Sequence, residues 1–177
     1  MIRSIIEDRL VSNVVTAALL IGLLPGVLLP QNKTIVLVRH AEKAGETAMD
    51  KTGDPDLSAD GQARAKRLLE IVKKYKPHEI YATAYKRAQE TVQPTAEYRH
   101  KQIQTYDPAK QNELIDHIMK GTTDHFLIAG HSNTVPMLVN ALMGKEVFVK
   151  MPDTEYGVIY VVKMRKGKFR RVEVYEY

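Results

Sequence analysis

Past Lys33 the chain alternates between short, wholly apolar runs and longer segments whose apolar residues recur at helical spacing. Ile35 to Val38 and Phe126 to Ala129 are the clearest of the short runs. Runs of this length that are apolar at every position belong to strands buried on both faces, as in a parallel sheet. Glu79 to Ala82 and Ile103 to Tyr106 read as two further short strands. Helices lie between them. Ser58 is an N-cap for a helix carrying Ala65, Leu68, Leu69 and Val72 on one face, and Lys76-Pro77 ends it. Ala84 to Tyr98 reads as a second helix, kinked or broken at Pro94. Asp107 and Pro108 open a third as N-cap and first-turn proline, Leu114, Ile115, Ile118 and Met119 form its inner face, and Gly121 closes it. Pro136 to Met143, ended by Gly144, is a fourth. Gly45 to Asp56 is polar and rich in turn residues, a loop. Tyr156 to Met164 and Phe169 to Tyr175 make an antiparallel pair turning at Lys166-Gly167-Lys168. This order predicts an α/β fold: a three-layer α/β/α sandwich on a mostly parallel sheet, with a C-terminal β-hairpin.

The first 32 residues follow a different pattern, so the chain divides into a segment 1–32 and a domain 33–177. No charge occurs between Arg9 and Lys33, and Val14 to Leu24 is almost purely apolar. With Arg3 and Arg9 ahead of it, this stretch fits the apolar region of a secretory signal peptide. Glu7 and Asp8 dilute the positive start, and no Ala-x-Ala-like cleavage site follows. A single-span membrane anchor over Leu10 to Pro30 is the alternative, and a soluble core helix is a third reading. Either membrane reading places the domain outside the cytoplasm: exported or periplasmic in the first case, tethered through residues 1–30 in the second.

Composition narrows the chemistry. The 177 residues contain no cysteine, which excludes disulfides, thiolate catalysis and cysteine-ligated metals. The net charge of +5 owes much to Arg165, Lys166, Lys168, Arg170 and Arg171 around the hairpin turn. A solvated turn accounts for them, and no nucleic-acid motif or stacking platform accompanies them.

Among six histidines, His40 and His131 alone stand just past the end of a buried strand. In open α/β sheets ligands bind beyond the carboxyl ends of the strands. Arg39 precedes His40, and a guanidinium at a pocket floor needs an anionic partner. Two histidines and an arginine there form a site suited to an anion.

Four segments resemble one family. Val38-Arg39-His40-Ala41-Glu42-Lys43 is similar to the Arg-His-Gly motif of the histidine phosphatase superfamily, also called phosphoglycerate mutase-like, with Ala41 in place of the glycine. Asp56-Leu57-Ser58-Ala59-Asp60-Gly61, followed by Ala63-Arg64-Ala65, resembles its Leu-Ser/Thr-x-x-Gly segment. Thr83 to Thr91 resembles its Ser-x-x-x-Arg-Ala-x-Gln-Thr segment, and Gly130-His131-Ser132-Asn133 its second histidine motif. The resemblance runs from Thr34 to Gly144 and implies the phosphoglycerate mutase-like fold. It also implies phosphomonoester or phosphohistidine hydrolysis through a phosphohistidine intermediate on His40. Arg39 and Arg87 would hold the phosphoryl oxygens, and His131 would donate to them. The other ring nitrogen of His40 would be fixed by a backbone carbonyl. For the proton donor, Asp107 comes first and Glu42 second. Asp107 reads equally as a helix N-cap, and Glu42 as a partner of Lys43 or Arg39. Neither a metal nor a cofactor is implied. The partner is a small phosphorylated substrate or a phosphoprotein, and oligomeric state stays open.

Competing chemistries fit less well. A serine-hydrolase elbow at Gly130-His131-Ser132 would need a later histidine, and none follows His131. Phosphate-loop and metal-hydrolase spacings are missing. Only about twenty residues separate Arg87 from Asp107, a short form similar to small SixA-like phosphatases rather than to the longer mutases. Mutase-type phosphotransfer and a non-catalytic phosphate- or phosphoprotein-binding module remain the alternatives.

Overall fold

The computed structural model describes residues 32–45 and 53–177. The signal or anchor segment read above lies outside these residues, as does most of the Gly45–Asp56 loop. Among the described residues no helix is long and apolar enough to cross a membrane.

The strands are β1 (Lys33–Arg39), β2 (Glu79–Ala82), β3 (Ile103–Thr105), β4 (His125–Gly130), β5 (Val158–Arg165) and β6 (Lys168–Glu176), and they form one sheet in the order β3-β2-β4-β1-β5-β6. The first four are mutually parallel, and β5 and β6 add an antiparallel hairpin. Helices α1 (Ala59–Val72) and α2 (Lys86–Arg99) cover one face, and α3 (Gln111–Lys120) and α4 (Thr134–Met143) cover the other. This is the three-layer α/β/α sandwich.

The apolar runs work as buried strands because successive residues feed opposite layers. Ile35 and Leu37 pack with Leu114 and Ile118 of α3 and with Leu138 of α4. Val36, Val38 and Leu127 pack with Leu68 and Val72 of α1 and Val92 of α2. Ser58 caps α1 through its hydroxyl, which accepts from the Gly61 N–H at 3.1 Å. At the hairpin, Lys166 and Gly167 both have positive φ (51° and 71°), as a two-residue type I′ turn requires.

Several boundaries differ from expectation. Helix α2 runs unbroken through Pro94. Helix α4 starts two residues before Pro136, at Thr134. Asp107 is not the N-cap of α3: its Oδ1 accepts from the Ala109 N–H at 2.8 Å in a local turn, and the helix begins only at Gln111. An aspartate before proline serves a tight turn as well as a helix start, and here the turn wins. Strand β5 begins at Val158, which leaves Tyr156 in the preceding loop.

Leu127 is fully buried on the central strand β4. Leu127→Ala should destabilise the domain by about 2–5 kcal/mol, lowering the urea midpoint by roughly 1–2 M. Chemical denaturation followed by circular dichroism measures this.

Candidate active site

The parallel pairing of β1 with β4 sets Arg39 opposite Gly130. The next residue on each strand is a histidine, and the two rings lie 5.4 Å apart, centroid to centroid, edge to face. The His40 N–H donates to the Gly130 carbonyl at 2.9 Å, extending the pairing by one step. Gly130 has no room for a side chain: a Cβ there would stand 2.7 Å from the Tyr106 hydroxyl and 3.0 Å from the Thr134 Oγ1.

The buried His40 ring is oriented by its backbone. Nδ1 lies 2.8 Å from the Ala41 carbonyl, which can only accept, so Nδ1 carries the proton and Nε2 keeps its lone pair. Burial lowers the His40 pKa to about 4, with Arg87, His131 and Arg39 adding to the shift against the Ala41 hydrogen bond. His131 is lowered to about 4 by burial and by the charges of Arg87 and Arg39. Both imidazoles are therefore neutral at pH 7, inside the field of two guanidinium ions.

Arg39 is almost wholly buried. One terminal nitrogen donates to the carbonyls of Pro152 (2.8 Å) and Glu155 (2.7 Å), and the other to that of Asp153 (3.1 Å). Its Nε is buried without a hydrogen-bond partner among the described residues. An orphaned buried donor beside two histidines is what an anionic oxygen would satisfy. Arg87 donates to Asp54 Oδ1 at 3.1 Å, and Asp54 Oδ2 accepts from the Lys86 N–H at 2.9 Å.

The other polar residues of the Thr83–Thr91 segment bind the site's frame. The fully buried Thr83 sets its Oγ1 3.0 Å from His131 Nε2, and its carbonyl accepts from Gln89 Nε2 at 2.8 Å. Glu90 accepts from the Leu57 N–H at 2.7 Å. Thr91 Oγ1 accepts from the Ala41 N–H at 2.8 Å, immediately beyond the nucleophile candidate. Gly61 packs so closely on the Glu42 carbonyl oxygen that any Cβ would collide with it.

The two carboxylates singled out as proton donors are engaged elsewhere. Glu42 pairs with neither Lys43 nor Arg39: Arg64 grips both its oxygens, at 2.6–2.9 Å, and this holds the Glu42 carboxyl below its usual range. Asp107 is exposed and occupied by its turn. Among the described residues, Asp54 also meets the site: it pairs with Arg87 and opposes the pKa shift of His131. It lies in a loop with no readable spacing signal.

Two tyrosines also escaped the sequence reading. Tyr156 lies under Arg39, 4.1 Å from the guanidinium carbon to the ring centre, and 6.0 Å from the His40 ring. Tyr85 lies under Arg87 at 4.2 Å and meets the His131 ring edge to face at 5.1 Å. Arg39 and Arg87 thus each rest on an aromatic ring that also lies beside one histidine. Both tyrosines fall in loops before regular elements, where periodicity says nothing.

Residues 35–109 match the model of the histidine phosphatase superfamily (branch 1). No curated protein matches the chain in sequence. Solved structures share the fold at low identity. A protein from Agrobacterium tumefaciens assigned as the phosphohistidine phosphatase SixA is 17% identical with a TM-score of 0.62, covering 82% of this chain and 98% of its own. The protein histidine phosphatase SixA in complex with tungstate is 16% identical with a TM-score of 0.62, covering 78% and 95%. The mycobacterial glucosyl-3-phosphoglycerate phosphatase Rv2419c is 12% identical with a TM-score of 0.61, covering 83% and 99%. The match over residues 35–109 and the shared fold make the chain similar to the histidine phosphatase superfamily.

Proposed function

We propose that the protein is a phosphatase that hydrolyses phosphomonoesters or phosphohistidine through His40. The observation that carries this reading is the His40 ring. Its Nδ1–H is committed to the Ala41 carbonyl, it is neutral at pH 7, and it stands beside His131 in the field of Arg39 and Arg87. The match of residues 35–109 to the superfamily model supports it, as does the likeness in fold to structures named as phosphatases.

Arg39 Nε and the Arg87 guanidinium hold the phosphoryl oxygens. His40 Nε2 attacks phosphorus with its lone pair; an N–P bond forms as the bond to the leaving oxygen or nitrogen breaks, and the leaving group takes the electron pair. Water then attacks phosphorus, the N–P bond breaks, and inorganic phosphate and free His40 result. His131 supplies hydrogen-bonding capacity where charge builds up on the phosphoryl group. Because Glu42 and Asp107 are occupied, the site suits leaving groups that depart without a strong acid, such as an imidazole or a phenol. A binding module would not need the oriented His40, and a mutase would require a bisphosphorylated primer for turnover.

Brief reaction with a ³²P-labelled aryl phosphate, quenched in alkaline detergent, should label the chain as phosphohistidine. His40→Ala should lose the label and slow turnover about 10³-fold or more; an active, labelled His40→Ala variant would sink the mechanism. The lowered pKa values set a pH profile: both rings are neutral above about 4 and gain protons below it. After correction for substrate ionisation, kcat/KM should stay level from about pH 7 to about pH 5 and fall towards pH 4. A limb centred near the ordinary value of 6.5 would contradict the neutral resting pair. Removing the ring under Arg87 (Tyr85→Ala) should lower kcat/KM by about 3–30-fold, while Tyr85→Phe retains it. An unchanged Tyr85→Ala variant would show that the ring does not position Arg87.

A further inference from the structure

The strands have histidines at both ends. His40 and His131 follow the carboxyl ends of β1 and β4, whereas His78 immediately precedes β2 and His125 opens β4. Asp124 precedes His125. The backbone brings the three residues at this amino-terminal edge together. The His78 N–H donates to the His125 carbonyl at 2.9 Å, and the Thr34 N–H of β1 donates to the Asp124 carbonyl at 2.7 Å.

Their side chains converge as well. His78 Nδ1 lies 2.8 Å from Asp124 Oδ1, and His125 Nε2 lies 4.0 Å from Asp124 Oδ2. The two imidazoles stack with centroids 5.4 Å apart and planes 15° apart. One donor atom from each of the three residues lies within 4.8 Å of the other two. All three side chains are partly exposed, so an ion can reach them and water can complete its shell. The neighbouring cation, Lys33, is committed to the carbonyls of Gly121 and Thr123. Nothing in the phosphate site uses these groups.

We infer that His78, Asp124 and His125 form a binding site for a divalent transition-metal ion, with zinc as its best-suited occupant. Two imidazole nitrogens and one carboxylate are a borderline donor set, which favours zinc, nickel or copper over magnesium or calcium. Zinc binds such donors at about 2.0–2.2 Å and tetrahedrally, which puts the donor atoms about 3.3 Å apart. An ion would replace the His78–Asp124 hydrogen bond with a bond to each partner, and the backbone hydrogen bonds already hold the three residues side by side. A bound ion would join the starts of β2 and β4 and, through Asp124, the start of β1. It would therefore stabilise the sheet from the end away from the phosphate site and leave turnover unaltered.

The test uses the full 177-residue chain, stripped with a chelator and titrated with zinc chloride by calorimetry and by thermal unfolding. Expected are uptake of one equivalent and a rise in Tm that the chelator reverses. The double variant His78→Gln/His125→Gln should bind at least about tenfold more weakly and lose the Tm rise, with its aryl phosphate turnover unchanged. His125→Gln alone provides the same readout should the double variant fail to fold. His117→Gln, in the neighbouring His117–Glu79 pair, should bind like the parent. Absence of uptake by the parent would overturn the proposal. So would uptake that survives His125→Gln, or uptake lost in His131→Gln, which would place the ion in the phosphate site.

Discussion

Arg39 and Gly130 face each other where β1 and β4 pair in parallel, and the candidate active site depends on that one register. Each strand places a histidine one residue later, so both imidazoles reach the same level on the same sheet edge. A slip of one residue would displace one histidine by about 3.3 Å along the sheet. It would also exchange every apolar side chain of that strand between the two helical layers. Leu37 would then face the layer built for Val36 and Val38, and Leu127 the layer built for Phe126 and Ile128. The packing of the core and the meeting of the histidines are fixed by the same constraint.

Around that pair the site gathers positive charge from Arg39 and Arg87. The imidazoles are neutral because burial and two guanidinium ions oppose their protonation. Arg39 has both terminal nitrogens committed to the 152–155 backbone while its Nε stays unsatisfied. Asp54 pairs with Arg87 at the margin. On the proposed reading, a phosphate dianion would satisfy the orphaned Arg39 donor and offset the guanidinium charges that add to the effect of burial on His131.

Much of this was legible from residue order, for a physical reason. Strands buried on both faces must be apolar at every position, so Ile35–Val38 and Phe126–Ala129 announced the central pair. Their abrupt polar ends announced the histidines. Arg87 was legible because its motif carries polar residues at fixed offsets, and Thr83, Gln89, Glu90 and Thr91 make separate hydrogen bonds with His131, the Thr83 carbonyl, Leu57 and Ala41. What stayed hidden depends on distant chain returning to the site. Tyr156 reaches Arg39 across more than a hundred residues, and the half-buried Arg64 of α1 holds both oxygens of Glu42. Asp107 misled because aspartate before proline has the same local chemistry in a turn as at a helix start.

Strand β1 also gives the domain two poles. Its seven residues span about 23 Å, with Asn32 leading in at one end and His40 leaving at the other. The paired histidines and the His78–Asp124–His125 cluster therefore lie at opposite poles, about the length of one strand apart.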